Sequence, residues 1–574
     1  MLKIRAGAFA ALLLMPGLCL AIPEGPAANT PEWAQREATN YAKVLEAPRE
    51  QVSNPTFMQR LSQQSADNIS SYTMRDLADP SWFLASSPIL NALIASGTAP
   101  GEAQARLMDA FTRIQANPMA ALQVPLNTPQ TPLCSSWALQ CAGDPFRYAG
   151  VDPFYTNEAE VTPVVFYDDG CARLSGRVWA PKGSHAGSGL PAVVIENGSV
   201  QAPETLYWWM AQLLVRNGYV VMTFDPRGQG RSDQQTPTGT QGSNANPSVF
   251  WTGLVNAIDF FRSTPMRPYP HNKTCAGTYP TAVTDSNPYS NRVDYNRLGI
   301  AGHSLGAKGV SIVQGYGGVG ADPWPGKLDS SNPVKVAVAW DGLAAPGGGA
   351  VGGAGGNLPG AGQLTGALTG GSSEPKYVPR VPAMGHSSEY GLTPMPFTQP
   401  PDVEGHKAAY TAWRKAGVPV YEITIQGSSH YEWSLIPTFP TTSWCANTSN
   451  NRCEGGWGNP LAQHYSLAWI DRWLKLPGES GYDTADARLL ADADWVPRYS
   501  FYFRSARSYS TRSGQVQNCE DIRAGCGNAD TTTARDAGSS SNSSSGASGS
   551  GALPLSLLLI LLSAAGLREQ RRRL

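Results

Sequence analysis

Short apolar runs and helix-period segments alternate through the middle of the chain. Residues 161–167 and 173–180 flank Asp168-Asp169-Gly170 and read as an antiparallel strand pair around a turn. Residues 191–195, 219–224, 298–301, 334–340, 381–384 and 418–425 are short and largely apolar, the pattern of strands buried on both faces. Segments 204–217, 250–262 and 307–316 carry helical spacing between several of these runs. This alternation predicts an α/β fold over residues 158–475: a mostly parallel sheet flanked by helices.

The pattern changes on both sides of that core. Residues 22–157 hold two helix-period stretches, 32–46 and 100–116, and are expected to form an N-terminal helical extension or cap. Two insertions interrupt the core, at 264–292 and at 346–373, and the second is almost entirely Gly, Ala, Leu and Thr. It reads as a spacer or as a lid near substrate. Residues 476–529 form a C-terminal extension, and 530–552 a Ser/Gly linker. Residues 553–574 combine an apolar run with Arg568, Arg571, Arg572 and Arg573. That tail resembles bacterial C-terminal sorting tails, with Ser548-Gly549-Ser550-Gly551-Ala552 where such tails usually carry Gly-Gly. The resemblance implies transient membrane association. At the other end, Lys3 and Arg5 precede an apolar run, and Cys19-Leu20-Ala21 offers small residues at the cleavage positions. Residues 1–21 therefore read as a signal peptide, and the protein as exported.

A formal net charge of −1 without a basic stripe speaks against nucleic acid as a partner. Nine cysteines occur; beyond Cys19, three close pairs stand out: Cys134 with Cys141, Cys445 with Cys453, and Cys519 with Cys526. Cys171 and Cys275 then remain for each other, although eight cysteines allow about 105 pairings. Disulfides suit an oxidising compartment. Metal-ligand spacing is not seen, and neither a metal nor a cofactor is expected.

Gly302-His303-Ser304-Leu305-Gly306 follows the strand at 298–301 and precedes the helix at 307–316. A strand that turns this sharply into a helix raises its serine to the apex in a strained conformation, and side chains two residues away on either side would clash. Ser304 is thus the candidate nucleophile.

With this elbow, residues 158–475 resemble the α/β-hydrolase superfamily, in the branch of extracellular esterases, lipases and polyester hydrolases. The other landmarks are Val194-Ile195-Glu196-Asn197-Gly198, the run from Phe224 to Ser232, and Ser428-Ser429-His430. The resemblance implies a histidine base after the last core strand, which is His430. It also implies an acid after the penultimate strand, where Glu389 stands; Asp341, one strand earlier, is the rival. Backbone donors for a developing oxyanion are expected from Leu305 and from Ser199, with Val200 as the alternative. His303 is expected to point away from the nucleophile, and 225–233 to support the fold. Tyr207, Trp208, Trp209, Tyr431 and Trp433 are candidates to border the substrate or to fill the core.

The resemblance implies a serine hydrolase that cleaves small-molecule, lipid or polymer esters through an acyl-enzyme. The competing expectations are a peptidase or amidase on the same scaffold and a catalytically inactive surface binding protein.

Overall fold

The computed structural model describes residues 26–45 and 154–526, apart from 200–203, 230–231, 234–235, 241, 243–245, 280–282, 348–373, 392–393, 431 and 435–456. The expected signal peptide, the helix at 100–116, the linker, the apolar tail and the pairs Cys134/Cys141 and Cys445/Cys453 lie outside the described residues. So does most of the Gly-rich insertion. Among the described residues no helix is long and apolar enough to cross a membrane.

Ten strands form one sheet: β1 (Ala159–Tyr167), β2 (Arg173–Pro181), β3 (Leu190–Glu196), β4 (Val220–Phe224), β5 (Val293–His303), β6 (Val334–Trp340), β7 (Ala383–Ser388), β8 (Val420–Ile425), β9 (Ala506–Ser510) and β10 (Val516–Cys519). Their order across the sheet is β1-β2-β4-β3-β5-β6-β7-β8-β9-β10. Every pairing from β4 through β8 is parallel. The antiparallel pairings lie at the two edges. The expected mostly parallel α/β sheet is therefore present. The strands β9 and β10 extend it beyond residue 475, where the sequence pattern suggested a separate extension. Their polar composition, Ala-Arg-Ser-Tyr-Ser and Val-Gln-Asn-Cys, explains why they carry no apolar signal.

Alternate residues of each central strand enter opposite cores. Val193, Ile195, Val221, Val336 and Val338 pack on one face with helices α2 (Trp208–Arg216) and α6 (Asn459–Leu474). Ala192, Val194, Val220, Met222 and Ala337 pack on the other with α3 (Ser248–Arg262), α4 (Leu305–Val313) and α5 (Ala408–Lys415). Both faces being covered, both sets must be apolar, which is why the strands read as continuous runs.

Helix α1 (Pro31–Tyr41) begins as its sequence dictates. Thr30 caps it by accepting from the Trp33 N–H at 3.2 Å, Pro31 opens the first turn and Glu32 faces the helix dipole. Its Trp33 packs with Tyr502, Phe503 and Phe397.

Cys171 and Cys275 are bonded to each other, with Cα atoms 5.4 Å apart across 104 residues, as are Cys519 and Cys526. Closing so long a loop restricts the unfolded chain, typically by about 2–4 kcal/mol. Reduction with dithiothreitol, or Cys275→Ala, is expected to lower the thermal midpoint of unfolding. A midpoint unchanged by both would mean that the cross-link is not formed in solution.

Candidate active site

Strand β5 ends at His303 and helix α4 starts at Leu305, so Ser304 alone makes the turn. Its φ of 59° and ψ of −122° lie where non-glycine residues carry about 1–3 kcal/mol of strain. The flanking glycines are required by space. A Cβ on Gly302 would lie 2.7 Å from the Gly306 carbonyl oxygen, and one on Gly306 would collide with the Asn197 carbonyl. The Ser304 N–H donates to the Trp340 carbonyl at 3.0 Å, which ties the turn to the end of β6.

The hydroxyl of Ser304 meets His430 Nε2 at 2.9 Å. His430 sits on the loop after β8, and its Nδ1 is hydrogen-bonded to Asp341 Oδ2. Asp341 follows β6 directly, is fully buried and holds a positive φ of 52°. The Ser388 N–H donates to its Oδ1 at 2.7 Å, and the Ser388 hydroxyl to its Oδ2 at 2.8 Å. Burial alone would push the Asp341 carboxyl up. The facing His430 ring and the Ser388 donors outweigh burial and hold it below the ordinary carboxylate range. An ionised Asp341 keeps the proton on Nδ1, so the Nε2 lone pair faces the serine hydroxyl.

Glu389 does not reach His430, which corrects its expected place beside the base. Strand β7 runs to Ser388 rather than stopping near residue 384, and Trp340 pairs with His386. Asp341 therefore lies level with the 387–388 end of β7, while Glu389 projects past it. Its carboxylate accepts instead from Asn40, Gly427 and Ser500.

Two residues that spacing did not assign complete the support. His303, expected to point away, packs against His430 with ring centroids 4.6 Å apart. Its Nε2–H donates to the His430 carbonyl at 2.8 Å, and its Nδ1 accepts from the Tyr207 hydroxyl at 2.8 Å. The Tyr207 oxygen in turn accepts the Gly198 N–H at 3.0 Å. Burial, aided by the charge of His430, lowers His303 to about 3, so the ring is neutral and both its nitrogens are used. His303 thus links the loop after β3, through Tyr207, to the backbone of His430. Its position in the elbow was visible in the sequence; its partners were not.

Leu305 is the first residue of α4, where backbone N–H groups have no intrahelical acceptor. Ser199, half-buried, lies just past the end of β3; Val200 is outside the described residues. Asp225 holds both ends of that loop, accepting from Asn197 Nδ2 at 2.9 Å and from the Glu204 N–H at 2.7 Å. Asp233 pairs with buried Arg173, as expected of a charge that supports the fold. Tyr207, Trp208, Trp209 and Trp433 are all buried, and Trp209 packs on Trp340 with centroids 5.4 Å apart. These aromatics fill the core rather than border an open site; Tyr431 is outside the described residues. Among the described residues no group of three or more His, Cys, Asp or Glu side chains converges as metal ligands would.

Asp341→Asn is expected to slow the reaction of Ser304 with a fluorophosphonate about 10³–10⁴-fold, because the amide no longer enforces the Nδ1–H tautomer. A rate near that of the parent protein would remove Asp341 from the acid role. Tyr207→Phe leaves the Gly198 N–H and His303 Nδ1 unpaired. It is expected to lower the unfolding free energy by about 1–3 kcal/mol, read from urea titrations. No family model matches the chain, and no curated protein matches it, so the geometry itself carries the functional reading.

Proposed function

We propose that the protein is an exported serine hydrolase of the α/β-hydrolase type that cleaves carboxylic esters through an acyl-enzyme. One observation carries the reading: Ser304 Oγ lies 2.9 Å from His430 Nε2, while His430 Nδ1 is bonded to buried Asp341. A strand–serine–helix turn with the chain order Ser304, Asp341, His430 supports the hydrolase scaffold. The bonded pairs Cys171–Cys275 and Cys519–Cys526 support an oxidising compartment.

In the first step His430 Nε2 takes the serine proton as Oγ attacks the ester carbonyl. Negative charge collects on the carbonyl oxygen, where the Leu305 N–H and a donor from the Ser199 region stabilise it. Asp341 stabilises the imidazolium. The tetrahedral intermediate collapses, the C–O bond to the alcohol breaks, and His430 Nε2–H protonates the departing oxygen. Water then repeats the sequence on the acyl-serine, returning the proton to Ser304 and releasing the carboxylic acid. The low pKa of Asp341 matters here, since a protonated carboxyl would lose its charge contact with the imidazolium.

Ser304→Ala is expected to abolish fluorophosphonate labelling, and His430→Ala to reduce it by orders of magnitude without unfolding the protein. Paired p-nitrophenyl ester and p-nitroanilide assays should show turnover of the ester and little of the amide. Labelling that persists in Ser304→Ala would end the reading; faster amide turnover would transfer it to a peptidase or amidase.

A further inference from the structure

Glu389 is one residue past the serine that holds Asp341, yet it faces away from His430 and into a buried polar junction. The carboxylate receives converging donors from distant parts of the chain. Asn40 Nδ2 of α1 donates to Oε2 at 2.5 Å, the Gly427 N–H to the same oxygen at 2.6 Å, and the Ser500 hydroxyl to Oε1 at 2.5 Å. We propose that Glu389 is a positioning residue that clamps the His430 loop to helix α1, making that N-terminal helix a working part of the active site. The inference rests on the serine-hydrolase reading above.

The clamp acts on both members of the acid–base pair. Segments 388–391 and 427–430 are zipped together: the Glu389 N–H donates to Ser428 Oγ at 3.1 Å, the Tyr390 N–H to the Ser428 carbonyl at 3.0 Å, and the His430 N–H to the Gly391 carbonyl at 2.9 Å. Ser388 at one end orients Asp341 and His430 at the other carries the base, so a shift of this unit moves both. Gly427 has a positive φ of 60°, and a Cβ there would collide with the Lys43 side chain just after α1. The N-terminal segment is thus in direct contact with the backbone that leads into His430.

Helix α1 is held by buried polar contacts as well as by its apolar Trp33. Glu37 and Asn40 are both buried. Glu37 Oε1 accepts from the Tyr390 hydroxyl at 3.0 Å and the Phe397 N–H at 2.7 Å, and its Oε2 from the Tyr502 hydroxyl. Asn40 Nδ2 also donates to the Tyr390 hydroxyl at 3.0 Å. Lys43 lies over the Trp457 ring at 4.7 Å, and Trp457 donates to the Gln426 carbonyl at 2.7 Å. Removing one partner of such a buried network leaves the others unsatisfied.

The three donors are arranged for an ionised Glu389. Ser500 Oγ already accepts the Tyr502 and Phe503 N–H groups at 2.9 and 3.0 Å, so it has no lone pair left for a carboxylic acid proton. The charged and titratable groups around the carboxylate are Glu37, Arg36 and Lys43 from the N-terminal segment, Tyr390 beside it, and Tyr502 and Arg523 from the C-terminal segment. Burial pushes Glu389 up to about 7 against the pull of its three donors, and Glu37 adds to the rise. Because the buried carboxyl binds a proton more readily than an exposed one, acid removes the charge without opening the junction.

The test compares the full chain with Glu389→Gln and Asn40→Ala, using a fluorophosphonate and a short p-nitrophenyl ester, with folding checked by thermal melts. Both variants are expected to lose about tenfold or more in kcat, with KM within about twofold, as for misplaced catalytic groups. If Glu389→Gln does not fold, Asn40→Ala, which removes one of the three donors to Glu389 together with a bond to Tyr390, decides by the same readouts. Folded variants with parental kcat would overturn this inference alone. A parent protein that takes up no probe would overturn the hydrolase reading and the inference with it.

Discussion

The imidazole of His430 must meet two partners that hang from different strands. Ser304 stands on the turn between β5 and α4, and Asp341 leaves the end of β6. The loop after β8 brings the ring between them, although Ser304 and His430 are 126 positions apart. The parallel run from β4 to β8 makes this contact accessible, because every strand in it ends at the same edge of the sheet. A ring rotated or displaced by an ångström would lose one partner or the other, so much of the polar architecture near that edge is devoted to holding it.

That architecture works by satisfying buried groups completely. A buried polar atom without a partner costs free energy, and a buried charge costs more. Below the ring, His303 uses both nitrogens, one on Tyr207 and one on the His430 carbonyl. Beside it, Ser388 gives two hydrogen bonds to Asp341. Behind it, Glu389 gathers donors from α1, from Gly427 and from Ser500. The strained backbones of Ser304 and Asp341 persist because apolar cores on both faces of the sheet leave the strand ends little freedom.

Glu389 and Asp341 show why spacing alone misjudged which carboxylate faces His430. Counting residues past a strand requires knowing where the strand ends. The apolar signal of β7 fades after Met384, yet Gly385, His386, Ser387 and Ser388 stay in the ladder beside β6 and β8. Those small and polar residues are buried, so no alternation of apolar and polar positions marks them as strand. The longer strand carries Glu389 past His430 and leaves the place beside the ring to Asp341. The strands β9 and β10 and the docking of α1 escaped notice for a related reason. The buried polar contacts of α1 run to residues 349 to 465 positions away, and β9 and β10 are built largely of polar residues.

What the sequence determined by itself was local. The elbow at Ser304 is dictated by sterics within five residues, because Cβ atoms at Gly302 and Gly306 have no room. The parallel core was legible because two covered faces demand unbroken apolar runs. His430 was legible because it follows the last long apolar strand of that core. The tertiary structure decided which carboxylate faces the imidazole, which cysteines other than near neighbours join, and which residues hold the histidine loop. Each of these depends on distances between segments far apart in the chain, set by strand register and buried hydrogen bonds, and no local pattern of residues encodes a register.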